Sequence, residues 1–174
     1  SSSTGEAAVV KFALPRRSSS AEARRWIAEV NSRAAADVDT FYYPDQGPER
    51  CAGTACALSL IKWPASPACR TAMTVGMIDT GIDLEHEALK GQDIEVIDVI
   101  SSPSAAGQQH GTAVAALLVG KSDAGVSGLV PDAKLVAVNA FAVHDGVERA
   151  DVVRIAAALD ALRRRGVKVV NLSF

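Results

Sequence analysis

The chain lacks the features of a membrane-spanning or nucleic-acid-binding protein. No apolar run in its 174 residues approaches the roughly 20 residues that a membrane-spanning helix requires. Its formal net charge of −2 gives no electrostatic basis for binding nucleic acid or acidic lipid. Because 48% of the residues are hydrophobic and 22% are charged, the sequence predicts a globular domain with a substantial core and excludes bulk disorder.

Cysteine is scarce, and the first residues do not have the pattern of a signal peptide. The three cysteines, Cys51, Cys56 and Cys69, form no Cys-x-x-Cys pair, and neither they nor the histidines have zinc-ligand spacing. We therefore expect no metal site. The cluster suits one disulfide-closed loop with a thiol left over, which indicates an exported (periplasmic or extracellular) protein, although three free cytosolic thiols would give the same pattern. The N-terminus has no charged start before a long apolar stretch, so a signal peptide is absent or already removed.

The first 46 residues predict a small strand–helix–strand module. Residues 8–14 are apolar and β-branched and stop at a proline, which predicts a strand. Ser20 suits the N-cap of a helix over 21–36, and residues 38–43 predict a second strand. A unit of this size, 1–46, is too small to stand alone, so we expect it to pack on another part of the protein.

A linker and a larger domain follow. Residues 47–72 are dense in Pro, Gly, Cys and Ser, which predicts a linker. From residue 73 to 174, near-continuous aliphatic runs alternate with helical patterns, which predicts an α/β fold with a parallel sheet covered by helices on both faces. The predicted strands are 74–79, 94–100, 134–141 and 167–174, and the predicted helices are 110–120 and 148–166. Because the sequence stops on a core strand, we expect Phe174 to be a cut within a larger domain.

Two polar residues stand at the ends of predicted elements. Asp79 closes the strand 74–79 and precedes a tight turn, which is where open parallel sheets place functional residues. Its alternative role is to cap that turn. His110 opens the helix 110–120, and its alternative is a surface or capping histidine. Together they predict an acid–base pair, because a buried carboxylate fixes the tautomer of an imidazole and stabilises its protonated form. Such a pair activates a hydroxyl or thiol nucleophile.

Four motifs resemble, in order, those of the subtilisin-like serine proteases, the subtilase family. They are "IDTGID" from Ile78, "HGTAVAALLVG" from His110, "GVSGLVPDAKLVAVNAF" and "GVKVVNLSF", within about residues 70–174. The resemblance implies a subtilisin-like α/β fold, incomplete here, and a hydrolase that cleaves peptide bonds inside a polypeptide with an Asp-His-Ser triad. Asp79 is then the triad aspartate and His110 the triad histidine.

The same resemblance implies where substrate binds and what is missing. Phe141, Ala142, Val143 and Ser173 match segments that line the family's cleft, where a peptide pairs as an added strand. The family's nucleophilic serine lies in a later Gly-Thr-Ser motif, which does not occur before Phe174. We therefore expect two partners, a peptide or protein substrate and the C-terminal remainder of the catalytic domain, and no activity from this chain alone.

The N-terminal module resembles the latter part of a subtilase propeptide, which packs on the catalytic domain, assists its folding and inhibits it. The triad chemistry requires no cofactor. The family's calcium-linked Pro-Asp pair is replaced by Glu87 and Ala88, which counts against a calcium ligand there, and a calcium site near Asp123 stays open but is not favoured.

Two other interpretations remain open. The first is a catalytically inactive relative that keeps the fold as a binding or scaffold protein. The second is a nucleotide-binding protein, because Ala115–Ser122 fits a relaxed phosphate-loop pattern. A phosphate loop needs a glycine-rich turn between a strand and a helix, whereas these residues read as a helix interior and its end.

Overall fold

The structure is a computed structural model that describes residues 9–44, 62, 72–99, 106–121 and 128–174. It separates into two compact units, Ser1–Thr40 and Phe41–Phe174. The three cysteines and nearly all of the predicted linker 47–72 lie outside the described residues. The helices are α1 (Ser20–Val30), α2 (Gln109–Val119) and α3 (Val152–Arg164), and the strands are β1 (Phe41–Tyr42), β2 (Thr74–Asp79), β3 (Ile94–Asp98), β4 (Lys134–Asn139), β5 (Ala142–His144), β6 (Val147–Asp151) and β7 (Val169–Leu172).

Helix α1 of the first unit begins with a capping box. Its N-cap is Ser19, one residue before the predicted Ser20, and the Ser19 hydroxyl accepts a hydrogen bond from the Glu22 N–H at 3.2 Å. The Glu22 carboxylate accepts in return from the Ser19 N–H and hydroxyl, both at 2.9 Å. These bonds to Ser19 lower the pKa of Glu22. The reciprocal bonds satisfy donors that a helix start otherwise leaves unpaired.

The strands predicted for the N-terminal module are largely wrong. Residues 9–14 form no strand, and the segment 38–43 contributes only the two-residue β1, which belongs to the second unit. A strand needs a neighbour that accepts and donates its ladder hydrogen bonds. None of the described residues 9–40 is buried, so the apolar side chains there have no core to join within their own unit.

The second unit is built on a parallel sheet of four strands, in the order β3-β4-β2-β7. Its two faces bury separate clusters, because successive strand residues point to opposite sides. Met77 of β2 packs on one face with α2, and Ile78 packs on the other face with α3. The predicted α/β fold, a parallel sheet with helices on both faces, is therefore confirmed.

A hairpin stands where the sequence predicted the start of a helix. Strands β5 and β6 pair antiparallel, and β6 also pairs with β1 to give a second, three-stranded sheet. Asp145 and Gly146 form the turn with positive φ angles of 53° and 76°, as a two-residue type I′ turn requires. Helix α3 therefore begins at Val152 instead of 148, and the N-cap Asp151 accepts from the Arg154 N–H at 2.9 Å.

Helix α2 removes the basis of the nucleotide-binding interpretation. Residues Ala115 to Val119 lie inside α2 and Gly120 is its C-cap, so the residues that a phosphate loop needs as a glycine-rich turn are helical instead. Within the described residues, no helix has both the length and the apolar character that a membrane crossing would demand.

Candidate active site

Asp79 lies at the carboxyl end of β2, one of the two central strands. It is opposite Asn139 of β4 in the parallel register, and the Asp79 carbonyl accepts from the Ala140 N–H at 3.0 Å. The residue is 1% exposed. The predicted strand ends at the same residue as the observed one, because the apolar run of β2 fills the core up to the carboxylate.

His110 is the second residue of α2 and contacts Asp79 directly. The distance from His110 Nδ1 to Asp79 Oδ1 is 2.7 Å, and the side chains are 21% and 2% exposed. A carboxylate can only accept, so Nδ1 is the protonated nitrogen and donates to Asp79. The structure thus brings together the two residues that the sequence predicted as a pair, and their bond fixes the imidazole tautomer that carries its proton on Nδ1.

The Asp79 carboxylate concentrates its hydrogen bonds on one oxygen. The Thr80 N–H donates to Oδ1 at 2.7 Å, beside the bond from His110. Oδ2 is also buried and has no hydrogen-bond partner in the part of the chain that the structure describes. The two donors on Oδ1 orient the carboxylate towards the imidazole.

Two threonines join the turn after β2 to the start of α2. Thr80 Oγ1 accepts from the Gly111 N–H at 2.9 Å, and Thr112 Oγ1 accepts from the Asp83 N–H at 2.9 Å. Both threonines belong to the motifs that the sequence singled out, but hydrogen bonding between the motifs was not predicted. The presence of a threonine in the sequence does not show which group its hydroxyl will form a hydrogen bond with.

Gly111 allows the helix to approach this turn closely. A Cβ at Gly111 would lie 2.5 Å from the Gly81 carbonyl oxygen and 2.6 Å from that of Thr80. Both contacts are to backbone, which cannot swing away. The glycine therefore permits a close approach of the two backbones, which sets the separation between Asp79 and His110.

A surface cavity of about 340 Å³ borders the same helix start. Its lining comes from one face of α2, the residues just before it and the turn after β2. These residues are Asp83, His86, Gln108, Gln109, Thr112, Ala113 and Ala116.

The residues predicted to bind substrate lie at the same edge of the sheet, but their side chains differ in exposure. Phe141 and Ala142 are fully buried, and the Phe141 ring packs edge-on against Phe174 with centroids 5.4 Å apart. Val143 and Ser173 are half-buried, and the Ser173 hydroxyl donates to Asn171 Oδ1 at 2.7 Å. The buried pair can therefore present only backbone groups to a ligand.

Among the described residues, no group of three or more His, Cys, Asp or Glu side chains could hold a metal ion such as calcium. Glu87 is exposed and Ala88 is buried, and Asp123 lies outside the described residues.

Comparison with known proteins gives the same fold. The model of the Subtilase family, Peptidase S8, matches residues 70–174. Among solved structures, a serine-to-alanine mutant of the protease domain of PatA is 24% identical with a TM-score of 0.52, over 59% of this chain and 38% of that one. The self-cleaved protease domain of PatA is 20% identical with a TM-score of 0.50, over 60% and 38%. At these identities the likeness shows the fold alone, and the chain spans 38% of the length of each PatA domain.

Proposed function

The chain belongs to the subtilase family, and we propose that the full-length protein is a serine endopeptidase in which Asp79 and His110 are two members of the triad. The observation that supports this most is the 2.7 Å bond between a buried carboxylate and a partly exposed imidazole. A histidine that only forms a surface salt bridge pairs with an exposed carboxylate. Asp79, in contrast, is 2% exposed and lies at the end of a central strand.

The proposed mechanism uses both nitrogens of His110. Nε2 takes the proton of the serine hydroxyl as the serine attacks the peptide carbonyl, and then returns it to the leaving amine. Asp79 holds Nδ1–H and stabilises the imidazolium that forms between these steps. The serine and the oxyanion donors come from outside residues 1–174, and no cofactor takes part.

We further propose that the substrate is a polypeptide that adds as a strand beside β5. Strand β5 lies at an end of its sheet, so among the described strands only one of its two edges is paired. An extended peptide would bond to the backbone of the Ala142–Val143 segment, with Phe141 supporting it from the core and Ser173, just after β7, at the same edge of the parallel sheet.

The remaining sequence-based predictions complete the proposal. The segment 1–46 acts as a propeptide-like module, 47–72 is the linker, and 73–174 is the first part of the catalytic domain. The protein is exported, because an oxidising compartment would permit a disulfide bond within the cysteine cluster.

Peptide hydrolysis by the full-length protein tests the proposal. Asp79→Asn should lower kcat by about 10⁴-fold because it stabilises the wrong tautomer, and His110→Ala by about 10⁶-fold because the base is lost. His86→Asn, which keeps an acceptor for the Ala88 N–H, is the matched histidine control and should retain full activity. Activity that survives His110→Ala would refute the mechanism. A folded wild-type protein without activity would favour the alternative, an inactive binding or scaffold protein.

A further inference from the structure

The start of the His110 helix lacks the usual local support. The N-cap residue, Gln108, makes no side-chain hydrogen bond to the helix amides. The position of His110 therefore depends on the burial of α2 and, at the helix start, on contacts that the preceding residues make with other elements. An uncapped helix start is less stable than a well-capped one, so these contacts must supply the stabilisation that a cap would give.

Three hydrogen bonds hold the residues that lead into α2. The Ala106 N–H donates to the Phe141 carbonyl at 3.4 Å, and the Gln108 side chain donates to the Ile82 carbonyl at 2.9 Å. Between them, the Gly107 N–H donates to Glu148 Oε1 at 2.5 Å. The bond to Glu148 is the shortest of the three and the only one with a charged acceptor, and charged hydrogen bonds are about twice as strong as neutral ones.

Glu148 links the residues before α2 to the hairpin of β5 and β6. It lies in β6, opposite Val143 in the hairpin register, so the strand that carries it also pairs with the strand proposed to bind peptide. A Cβ at Gly107 would lie 3.0 Å from Glu148 Oε1, so the glycine leaves room for the carboxylate. The next residue of β6, Arg149, stacks on the Phe41 ring at 4.1 Å and fixes the other side of the strand.

We propose that Glu148 is a positioning residue for His110. It anchors Gly107, three residues before the histidine, to the hairpin that carries β5, and so keeps the imidazole in register with a peptide bound there. The inference rests on the proposed function, because the benefit of this register is catalytic. Glu148 touches neither the substrate nor a reacting atom, and it acts only through the Gly107 N–H.

Steady-state kinetics of the full-length protein test this role. Glu148→Ala should lower kcat by about 10-fold to 100-fold with KM within about twofold, because a misplacement of about 1 Å costs rate and not contact surface. Glu148→Gln should recover most of kcat, since its amide oxygen accepts the same N–H. Glu148→Asp keeps the charge but is one methylene too short, and should resemble Glu148→Ala. Asp145→Asn, at the exposed turn of the same hairpin, is the matched control for loss of one negative charge and should leave kcat unchanged.

A second measurement separates this inference from the proposed function. The low-field proton resonance of His110 Nδ1–H reports the bond to Asp79 and needs no active serine. Glu148→Ala should broaden or abolish it at temperatures where the protein is folded, and Glu148→Gln should retain it. This result in a protein without protease activity would support the positioning role while refuting the protease. An unchanged resonance and kcat in folded Glu148→Ala and Glu148→Asp would overturn the positioning role.

Discussion

Helices α1 and α2 have the same length of 11 residues but are stabilised in opposite ways. Helix α1 has a complete capping box and no buried residue. Helix α2 has no side-chain cap and buries five residues against the sheet. The difference shows that local hydrogen bonding defines α1, whereas burial defines α2 and, with it, the position of His110. A helix held by burial transmits changes in its packing to the site, and a helix held by its cap does not.

Core truncation should give the largest contrast between the two regions. Leu162 of α3 is 1% exposed, and Leu162→Ala should lower the free energy of unfolding by about 2–5 kcal/mol. Leu159 of the same helix is 41% exposed, and Trp26 of α1 is 53% exposed, so Leu159→Ala and Trp26→Ala should each cost within about 0.5 kcal/mol. Urea titration followed by circular dichroism measures all three. Equal losses for Leu162 and Trp26 would show that α1 has a core that its exposure does not reveal.

A methyl group between α2 and the turn after β2 should damage the site. Gly111→Ala forces a Cβ to within 2.6 Å of two carbonyl oxygens, and such overpacking costs about 1–3 kcal/mol. It should also break the bond between His110 and Asp79. Gly166→Ala, at the end of α3, meets no neighbouring atom but has φ of 72°, so it should cost about 1–2 kcal/mol and leave activity unchanged. Melting and peptide hydrolysis distinguish the two, and full activity in Gly111→Ala would contradict the observed packing.

The bond from Gly111 to Thr80 should contribute less than the glycine itself. Thr80→Val keeps the shape of the side chain but leaves the Gly111 N–H unpaired in a buried position, at a cost of about 1–3 kcal/mol. Thr80→Ser keeps the hydroxyl and should be close to wild type. Thermal unfolding of the pair provides the measurement. A valine variant as stable as wild type would contradict the contribution of the hydrogen bond, and a serine variant as destabilised as valine would show that packing of the methyl group contributes equally.

The smallest effect concerns the cap of α1 and its pH dependence. The pKa of Glu22 is lowered in the folded chain from 4.5, so the stabilisation is present above pH 4.5 and is lost as the pH falls through the folded pKa. The protection of the α1 amides against hydrogen exchange, corrected for the intrinsic pH dependence of exchange, should therefore fall several-fold below that pH, while α2 and α3 stay protected. Glu22→Gln keeps an acceptor for the Ser19 N–H but no longer titrates, so it should abolish the pH dependence. A pH response that persists in Glu22→Gln would assign it to another group.

The sheet and the contact between Asp79 and His110 could be predicted because continuous apolar runs leave few alternatives. Strand β2 was predicted at 74–79 as observed, and α2 was predicted at 110–120 against Gln109–Val119. Asp79 and His110 follow from the rule that parallel strands expose function at their carboxyl ends. To apply this rule one needs only the order of strands and helices along the chain, and the pattern of apolar residues predicts that order.

The hairpin and the N-terminal strands could not be predicted from their local composition. Residues 147–151 resemble a helix start, but positive φ angles at Asp145 and Gly146 turn them back onto β5. The Asp-Gly dipeptide was the available signal. Residues 9–14 have strand composition without a paired neighbour, so tertiary context overrides propensity there. Glu148 gave no signal, because its partner is a backbone N–H 41 residues away.

Covalent labelling of the full-length protein by a fluorophosphonate tests the central claim most directly, because the reagent requires an activated serine. The account predicts that the wild-type protein is labelled on one serine outside residues 1–174 and that His110→Ala and Asp79→Asn are labelled at least about 10³-fold more slowly. Labelling of His110→Ala at the wild-type rate, or no labelling of a folded wild-type protein, would contradict it.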